Sequence, residues 1–171
     1  MINPMLIRSE ISHQDEPAIS GVIERAFAGA EHTNHAEQFI VVALRAAGAL
    51  SVSLVAEHSG RVVGHVAYSP VTISSGANDW YGLGPLAVVP DLQSQGIGSA
   101  LVRAGLERLR SLSARGCVVL GDPAYYGRFG FTVDPALVYP GAPPAYFMAQ
   151  AFSGSVPRGE VAYHAAFASE G

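Results

Sequence analysis

Residues 86–106, LAVVPDLQSQGIGSALVRAGL, constrain the fold more than any other part of the chain. An apolar run is followed by a proline and a polar turn, and two glycines then lead directly into a helical pattern. Such a turn presents the first amide groups of the helix, and these amides and the helix dipole both favour a phosphate. Glycine allows the phosphate to approach the backbone. The stretch therefore predicts a strand, an anion-binding turn and a helix.

The residues before this stretch predict a strand, two helices and a hairpin. A short strand is expected at LIRSEIS, and HQDEPAISGVIERAF is expected to be a helix that begins with acidic residues and a proline. The second helix, AEQFIVVALRAAG, is expected to place Phe39, Val42 and Ala43 on one face and to end at Gly48. Two strands in SVSLVAEHSGRVVGHVAYSPVTI are expected to meet at the turn HSG. His65, within the second of these strands, is interpreted as a core residue.

The next strand, WYGLGPLAVVP, carries Gly82, Gly84 and Pro85 in its middle. Proline cannot donate to a strand ladder, and glycines often mark a bulge or a close approach of the backbone. We therefore expect an interruption near the middle of this strand.

The second half of the chain predicts one long helix and several short elements. The helix, over residues 98–114, is expected to bury Leu101, Leu106, Leu109 and Leu112. CVVLG is expected to be a short buried strand, and DPAYYGRF a short helix with Asp122 as its N-cap. GFTV is expected to be a strand, residues 135–144 a loop, and AYFMAQAF the final strand.

Length and element order predict a single domain over residues 1–171, of the α/β (α+β) class. The chain is 49% hydrophobic and only 14% charged, so some apolar surface is expected to form a subunit contact in a homodimer. The net charge is −4 and lysine is absent, which excludes nucleic acid or an anionic membrane as the main partner. A single cysteine and the lack of a signal-peptide pattern predict a cytoplasmic protein.

Three classes of ligand use a glycine turn between a strand and a helix. A P-loop is excluded because no lysine follows the second glycine. A dinucleotide-binding turn needs a third glycine where this chain has Leu101, and such a turn belongs near the first strand of a domain. The third class is the acyl-CoA turn.

QSQGIG, residues 93–98, resembles the signature of the GNAT acetyltransferase superfamily, which is Gln or Arg, two residues, Gly, one residue, then Gly or Ala. LGPLAVVP resembles the splayed central strand of that family, and AYYGRFGF is similar to its aromatic-Tyr-x-x-x-Gly-Phe segment. Over about residues 5–165, the chain looks like a bacterial branch of predicted N-acetyltransferases. The resemblance implies a mixed, mostly antiparallel twisted sheet with a bulged central strand and flanking helices.

The resemblance also implies acetyl-CoA as co-substrate and an amine as acceptor. It assigns cofactor binding to Leu86, Ala87, Val88, Gln93, Ser94, Gln95, Gly96, Ile97, Gly98, Ser99, Asp122, Tyr125 and Phe129. Tyr126 matches the tyrosine that acts as general acid, and a phenol of pKa about 10 can protonate a leaving thiolate. The alternative for Tyr126 is a core aromatic residue with a satisfied hydroxyl group.

The general base is less defined, because many relatives carry a glutamate where this chain has Tyr81-Gly82-Leu83. Water or another residue must then take the proton of the amine. The candidates by type are Glu31, His32, His35, Glu37 and Asp79, and Glu31 is our choice as base or acceptor contact. The cluster of Glu31, His32 and His35 lacks a metal-ligand spacing, so no metal is expected.

Two alternatives to catalysis remain at this point. The missing carboxylate favours a non-catalytic acyl-CoA-binding or regulatory module of the same fold. A dinucleotide-binding protein would rest on Gly96-Ile97-Gly98 alone. For the enzyme, the acidic and lysine-free composition favours a cationic acceptor, either a small amine or a peptide amino group.

Overall fold

The structure is a computed structural model that describes residues 5–29 and 36–169. Its elements, in chain order, are β1 (Met5–Ser9), α1 (Glu16–Phe27), α2 (Glu37–Ala46), β2 (Val52–His58), β3 (Arg61–Ile73), β4 (Trp80–Val88), α3 (Ile97–Ser111), β5 (Gly116–Leu120), α4 (Pro123–Tyr126), β6 (Leu137–Val138), β7 (Phe147–Ala151) and β8 (Gly159–Tyr163). Over these two ranges, no helix has the length and apolar character needed to span a membrane.

The sheet has the order β1-β2-β3-β4-β5-β7, and β8 pairs with the far end of β3. Neighbouring strands are antiparallel except for β4 with β5 and β6 with β8. The predicted class, a mixed α/β fold with a mostly antiparallel sheet and flanking helices, is confirmed.

The turn between β2 and β3 follows from its residues. Ser59 and Gly60 both have positive φ, 53° and 76°, a combination typical of the tight turns that match the twist of two antiparallel strands. The predicted hairpin is confirmed, with His58 paired to Arg61. Gly48, at φ 69°, ends α2 as predicted.

Helix α3 packs closely on β3 because two glycines leave room for it. A Cβ on Gly64 would lie 3.0 Å from a methyl carbon of Leu101, and a Cβ on Gly105 would overlap the ring of Tyr68. The Tyr68 hydroxyl donates to the Val102 carbonyl over 2.8 Å, which fixes the ring under the helix. At Gly64 the start of α3 also comes close to β4, because a Cβ there would lie 3.1 Å from Ile97 and 3.3 Å from the Ala87 carbonyl oxygen.

The predicted apolar faces of two helices are partly wrong. In α2, Phe39 and Val42 are exposed, whereas Ile40, Val41 and Leu44 are buried. The helix is apolar on nearly every side, so the spacing of its apolar residues does not determine which side packs. The buried side is the one that contacts α1 and the C-terminal turn, Ala165–Ala168. Leu112 is also exposed, because α3 ends at Ser111 and the chain turns away.

The C-terminal predictions need three corrections. GFTV forms no strand, since only Thr132 makes an isolated bridge to Ala149. The predicted loop 135–144 contains the two-residue strand β6. AYFMAQAF does contain β7, but β8 follows it and pairs with β3 and β6. The short strand β8 contains Gly159 and Glu160, so its pairing is not evident from local sequence.

His65 lies at the end of a buried chain of polar groups, in agreement with its prediction as a core residue. It is 0% exposed, and its Nε2 is 2.8 Å from the Ser53 oxygen. The Ser53 hydroxyl donates to Glu10, which pairs with the Arg45 guanidinium at 2.9 Å. His65 Nδ1 has no partner among the described residues. Burial is the main reason why the pKa of His65 falls to about 4.

We expect acid to destabilise the protein through His65. The pKa of this histidine is near 6.5 in the unfolded chain and about 4 in the folded one, so the unfolded state binds the proton first as the pH falls. Between pH 6.5 and 4, the free energy of unfolding should fall by up to about 3 kcal/mol from this group.

Urea unfolding across this pH range measures the effect. His65→Gln should remove most of the pH dependence, whereas His58→Gln, at the end of β2, should retain it. Equal slopes in the two variants would contradict the assignment.

Candidate active site

Strand β4 changes its pairing at its middle. Its parallel pairing with β5 ends at Leu83. On the other side, Gly84 and Pro85 together face Ala67 of β3, which is a bulge of two residues against one. Beyond the bulge, residues 86–88 pair with β3 and with no second strand among the described residues. The predicted interruption is confirmed, and it leaves one edge of β4 uncovered.

A cleft of about 500 Å³, which we call the turn cleft, lies beside this edge. Eight of the predicted cofactor-binding residues line it: Leu86, Val88, Gln93, Ser94, Gly96, Gly98, Ser99 and Tyr125. Leu92 and Arg128 complete the lining. The glycine turn and the AYYGRFGF segment, which are separate in the sequence, therefore form one surface.

The other five predicted cofactor-binding residues do not line the turn cleft. Ala87, Ile97 and Phe129 are buried in the hydrophobic core. Gln95 is exposed. The Asp122 carboxylate accepts from the Ala124 amide over 2.9 Å, which confirms it as the N-cap of α4.

The glycine turn leaves the first amides of α3 available. Gly96 is the N-cap residue and has a φ of 87°, a conformation that favours glycine. No side chain caps this helix end. The amides of residues 97–99 therefore lack the acceptors that later turns of a helix provide, and they carry the positive end of the helix dipole. An anion such as a pyrophosphate fits this arrangement.

Tyr125 and Arg128, from the AYYGRFGF segment, line the turn cleft together with the glycine turn. A Cβ on Gly98 would lie 2.7 Å from the Tyr125 hydroxyl, so the second glycine of the turn gives this tyrosine its place. The Arg128 guanidinium lies 4.7 Å from the centre of the Tyr125 ring. Sequence reasoning missed Arg128, although it lies in AYYGRFGF and is the only charged residue of the cleft lining in the part of the chain that the structure describes.

Gln93 has a structural contact in addition to its place in the cleft. Its side-chain amide donates to the Val88 carbonyl over 2.9 Å. The first residue of the QSQGIG segment thus ties the end of β4 to the turn.

A second cavity of about 420 Å³, which we call the tyrosine cavity, shares the lining residue Leu86 with the turn cleft. Its floor comes from the bulge of β4, residues 83–86, and Leu86 lines both spaces. Three tyrosines lie in its walls, Tyr126, Tyr139 and Tyr163. The side chains of Phe27, Glu37, Ile40, Leu120 and Phe167 complete it.

Tyr126 has room for its ring in the tyrosine cavity because Gly121, just before α4, carries no side chain. A Cβ on Gly121 would lie 2.5 Å from the Tyr126 ring. The ring packs edge-on against Tyr125, with centroids 5.0 Å apart. Burial raises the pKa of Tyr126 above that of an exposed tyrosine, so its hydroxyl stays protonated at neutral pH. Gly121 thus gives the Tyr126 ring its space, and sequence reasoning missed this residue as it missed Arg128.

The place of the missing strand carboxylate is filled by an aromatic ring. A Cβ on Gly82 would lie 2.6 Å from a ring carbon of Tyr163. Tyr163 belongs to β8, the strand that the sequence did not reveal. A glutamate at position 82 would therefore require Tyr163 to move.

Of the two candidate bases within the described residues, Glu37 and Asp79, only Glu37 lines the tyrosine cavity. Glu31, our first choice, lies outside the described residues together with His32 and His35. Asp79 lies at the other end of β4, 3.9 Å from Arg115. Within residues 5–29 and 36–169, no group of three His, Cys, Asp or Glu side chains is placed to hold a metal ion.

Comparisons with known proteins agree with this geometry. An uncharacterized N-acetyltransferase of Escherichia coli K12, YhbS, is 39% identical over 147 residues, which cover 83% of this chain and 84% of YhbS. The crystal structure of E. coli YhbS in complex with CoA matches with a TM-score of 0.86 and 35% identity, over 100% of this chain and 95% of the other.

A GNAT family acetyltransferase from Brucella melitensis, in complex with acetyl-CoA, also matches with a TM-score of 0.86. It is 50% identical, over 96% of this chain and 99% of its own. The model of the Acetyltransferase (GNAT) family matches residues 20–131, which is more than half of the chain. The chain belongs to the GNAT family of acetyltransferases.

Proposed function

We propose that the protein transfers the acetyl group of acetyl-CoA to a primary amine of a small molecule or peptide, by direct attack of the amine. The observation that carries this proposal is the meeting of the two spaces at Leu86. The turn cleft offers amides to an anion, and the tyrosine cavity holds a protonated phenol. A thioester that reaches from one space into the other would lie beside Tyr126.

The turn cleft fits the charged part of the co-substrate. The amides of residues 97–99 would bind the pyrophosphate, and Arg128 would add a positive charge to the same anion. The uncovered edge of β4 at residues 86–88 would hydrogen-bond the pantetheine arm. The complexes of the two relatives with CoA and acetyl-CoA support this placement.

Tyr126 would be the general acid. Bound acetyl-CoA supplies a thioester, whose carbonyl carbon accepts the amine and whose sulfur leaves. A main-chain amide of β4 near the bulge would polarise the carbonyl group. Tyr126 would then donate its proton to the sulfur, and its raised pKa means that the hydroxyl is protonated at neutral pH before this step.

The anion turn is tested by Gly96→Asp. Aspartate adds a negative charge and a side chain at a φ of 87°, so acetyl-CoA binding should be lost. Isothermal titration calorimetry measures it. Gly76→Asp, at a φ of 89° with open space around it, is the matched control and should bind as the wild type does. Binding that persists in Gly96→Asp would contradict the assigned turn.

The acid is tested by Tyr126→Phe. Turnover should fall at least tenfold, because the thiolate then leaves without a proton donor, while acetyl-CoA should bind with unchanged affinity. The rate of CoA release measures turnover, and calorimetry measures the affinity for acetyl-CoA. Tyr146→Phe, at an exposed tyrosine outside both spaces, should retain full activity. Full activity in Tyr126→Phe would exclude this role.

A non-catalytic acyl-CoA-binding or regulatory module of the same fold is the second candidate. It is favoured by one observation: position 82 of β4 is a glycine without a carboxylate, and the Tyr163 ring occupies the space beside it. This candidate predicts that acetyl-CoA binds but that no amine is acetylated in a broad panel.

A cytoplasmic homodimer also belongs to the proposal. Large apolar side chains are exposed on the described part of the chain, among them Leu112, Val138 and Tyr146. Sedimentation velocity at micromolar concentration should show a species of two chains. A monomer at every concentration would contradict the dimer.

A further inference from the structure

Two buried polar atoms on the walls of the tyrosine cavity have no hydrogen-bond partner among the described residues. They are Oε2 of Glu37 and the hydroxyl oxygen of Tyr163. A buried acceptor without a partner costs about 1–3 kcal/mol, and more when it is charged. Such atoms are therefore rare in proteins unless something else binds them. A ligand that donates hydrogen bonds in this cavity would remove the cost.

Glu37 is the only charged side chain among the described residues of the cavity lining. It is the first residue of α2, and α2 packs against α1, which contributes Phe27 to the same wall. Among the described residues no salt bridge pairs this negative charge with a protein cation, and such a charge favours a positively charged ligand group. A primary amine is such a group at neutral pH, because it is present as an ammonium ion.

The remaining walls favour an apolar body on the same ligand. Tyr139, Tyr163 and Phe167 form a continuous aromatic cluster, with ring centroids 5.1 Å apart for the first pair and 4.9 Å for the second. Ile40 and Leu120 add aliphatic surface. Such a wall binds alkyl or aromatic groups by the hydrophobic effect. Apart from Glu37 and the three tyrosine hydroxyls, the described side chains of the lining offer no hydrogen-bond partner to a second polar group of the ligand.

We infer that the tyrosine cavity selects a primary monoamine with an apolar, alkyl or aromatic body, and that Glu37 binds its ammonium group and takes its proton. This inference rests on the proposed function and names its acceptor class and base. Glu37, in α2, thus supplies the carboxylate that is absent from β4 at position 82.

The protons balance in this scheme. Glu37 takes one proton from the ammonium, and the neutral nitrogen attacks the thioester carbon. The C–N bond forms, the C–S bond breaks, and Tyr126 gives its proton to the sulfur. The resulting Tyr126 phenolate takes the second proton from the nitrogen, which leaves the neutral amide. Glu37 releases its proton to water, so each turnover yields acetylated amine, CoA and one proton.

The test compares amines and variants in the full-length protein. With 2-phenylethylamine and hexylamine, the wild type should show a kcat/KM at least tenfold above that for ethanolamine and spermidine. Glu37→Gln, which keeps the shape and removes the charge, should lower kcat/KM for the two apolar amines at least tenfold. Glu24→Gln, at an exposed glutamate of α1, is the matched control and should change nothing.

Calorimetry separates this inference from the proposed function. Glu37→Gln should bind acetyl-CoA as the wild type does, and 2-phenylethylamine should bind the CoA-loaded wild type but at least tenfold more weakly to the CoA-loaded variant. These amine titrations need no turnover, so they decide the inference even if acetyl transfer fails. Equal amine affinity in the two proteins, or a preference for ethanolamine or spermidine, would overturn it. Loss of acetyl-CoA binding in the wild type would overturn the proposed function.

Discussion

The site depends on the fact that β4 does not keep both of its neighbours along its whole length. Gly84 and Pro85 place two residues opposite Ala67, and the pairing with β5 stops at Leu83. The uncovered edge that follows borders the turn cleft, and the bulge itself forms the floor of the tyrosine cavity. A continuous ladder would bring β5 along the edge and close both spaces. The positions of donor and acceptor in the proposed reaction thus follow from one interrupted strand.

Glycines set the positions of the tyrosines around this interruption. In three pairs, a Cβ built on the glycine would come too close to an atom of the tyrosine side chain. The distance would be 2.7 Å for Gly98 and Tyr125, 2.6 Å for Gly82 and Tyr163, and 2.5 Å for Gly121 and Tyr126. Gly98 lies in α3, Gly82 in β4 and Gly121 between β5 and α4, and a side chain at any of them would displace a wall of one of the two spaces. In this structure the glycines therefore shape the cavity as much as they free the backbone. Gly98, the one of them that lies in the QSQGIG segment, is also in the first turn of α3, whose amides no side chain caps.

The features that the sequence predicted correctly are local. The hairpin turn, the N-cap at Asp122 and the glycine turn before α3 each depend on a few adjacent residues with special backbone preferences. The errors concern partners distant in the chain. The buried side of α2 is chosen by its contacts with α1 and the C-terminal turn, and β8 exists because β3 and β6 pair with it. The sequence did not point to Arg128, and it gave Glu37 only as one of five candidate bases. The fold places Arg128 in the turn cleft and Glu37 in the tyrosine cavity.

The most direct test of the account is amide hydrogen exchange by NMR, with and without acetyl-CoA. The central claim is that the uncovered edge of β4 and the first turn of α3 bind the co-substrate together. Protection should then appear at residues 86–88 and 97–99 on addition of acetyl-CoA, while the amides of Glu10 and Arg45, which line neither space, stay unchanged. The claim would be contradicted if acetyl-CoA protected only other segments and left the exchange of residues 86–88 and 97–99 unaltered.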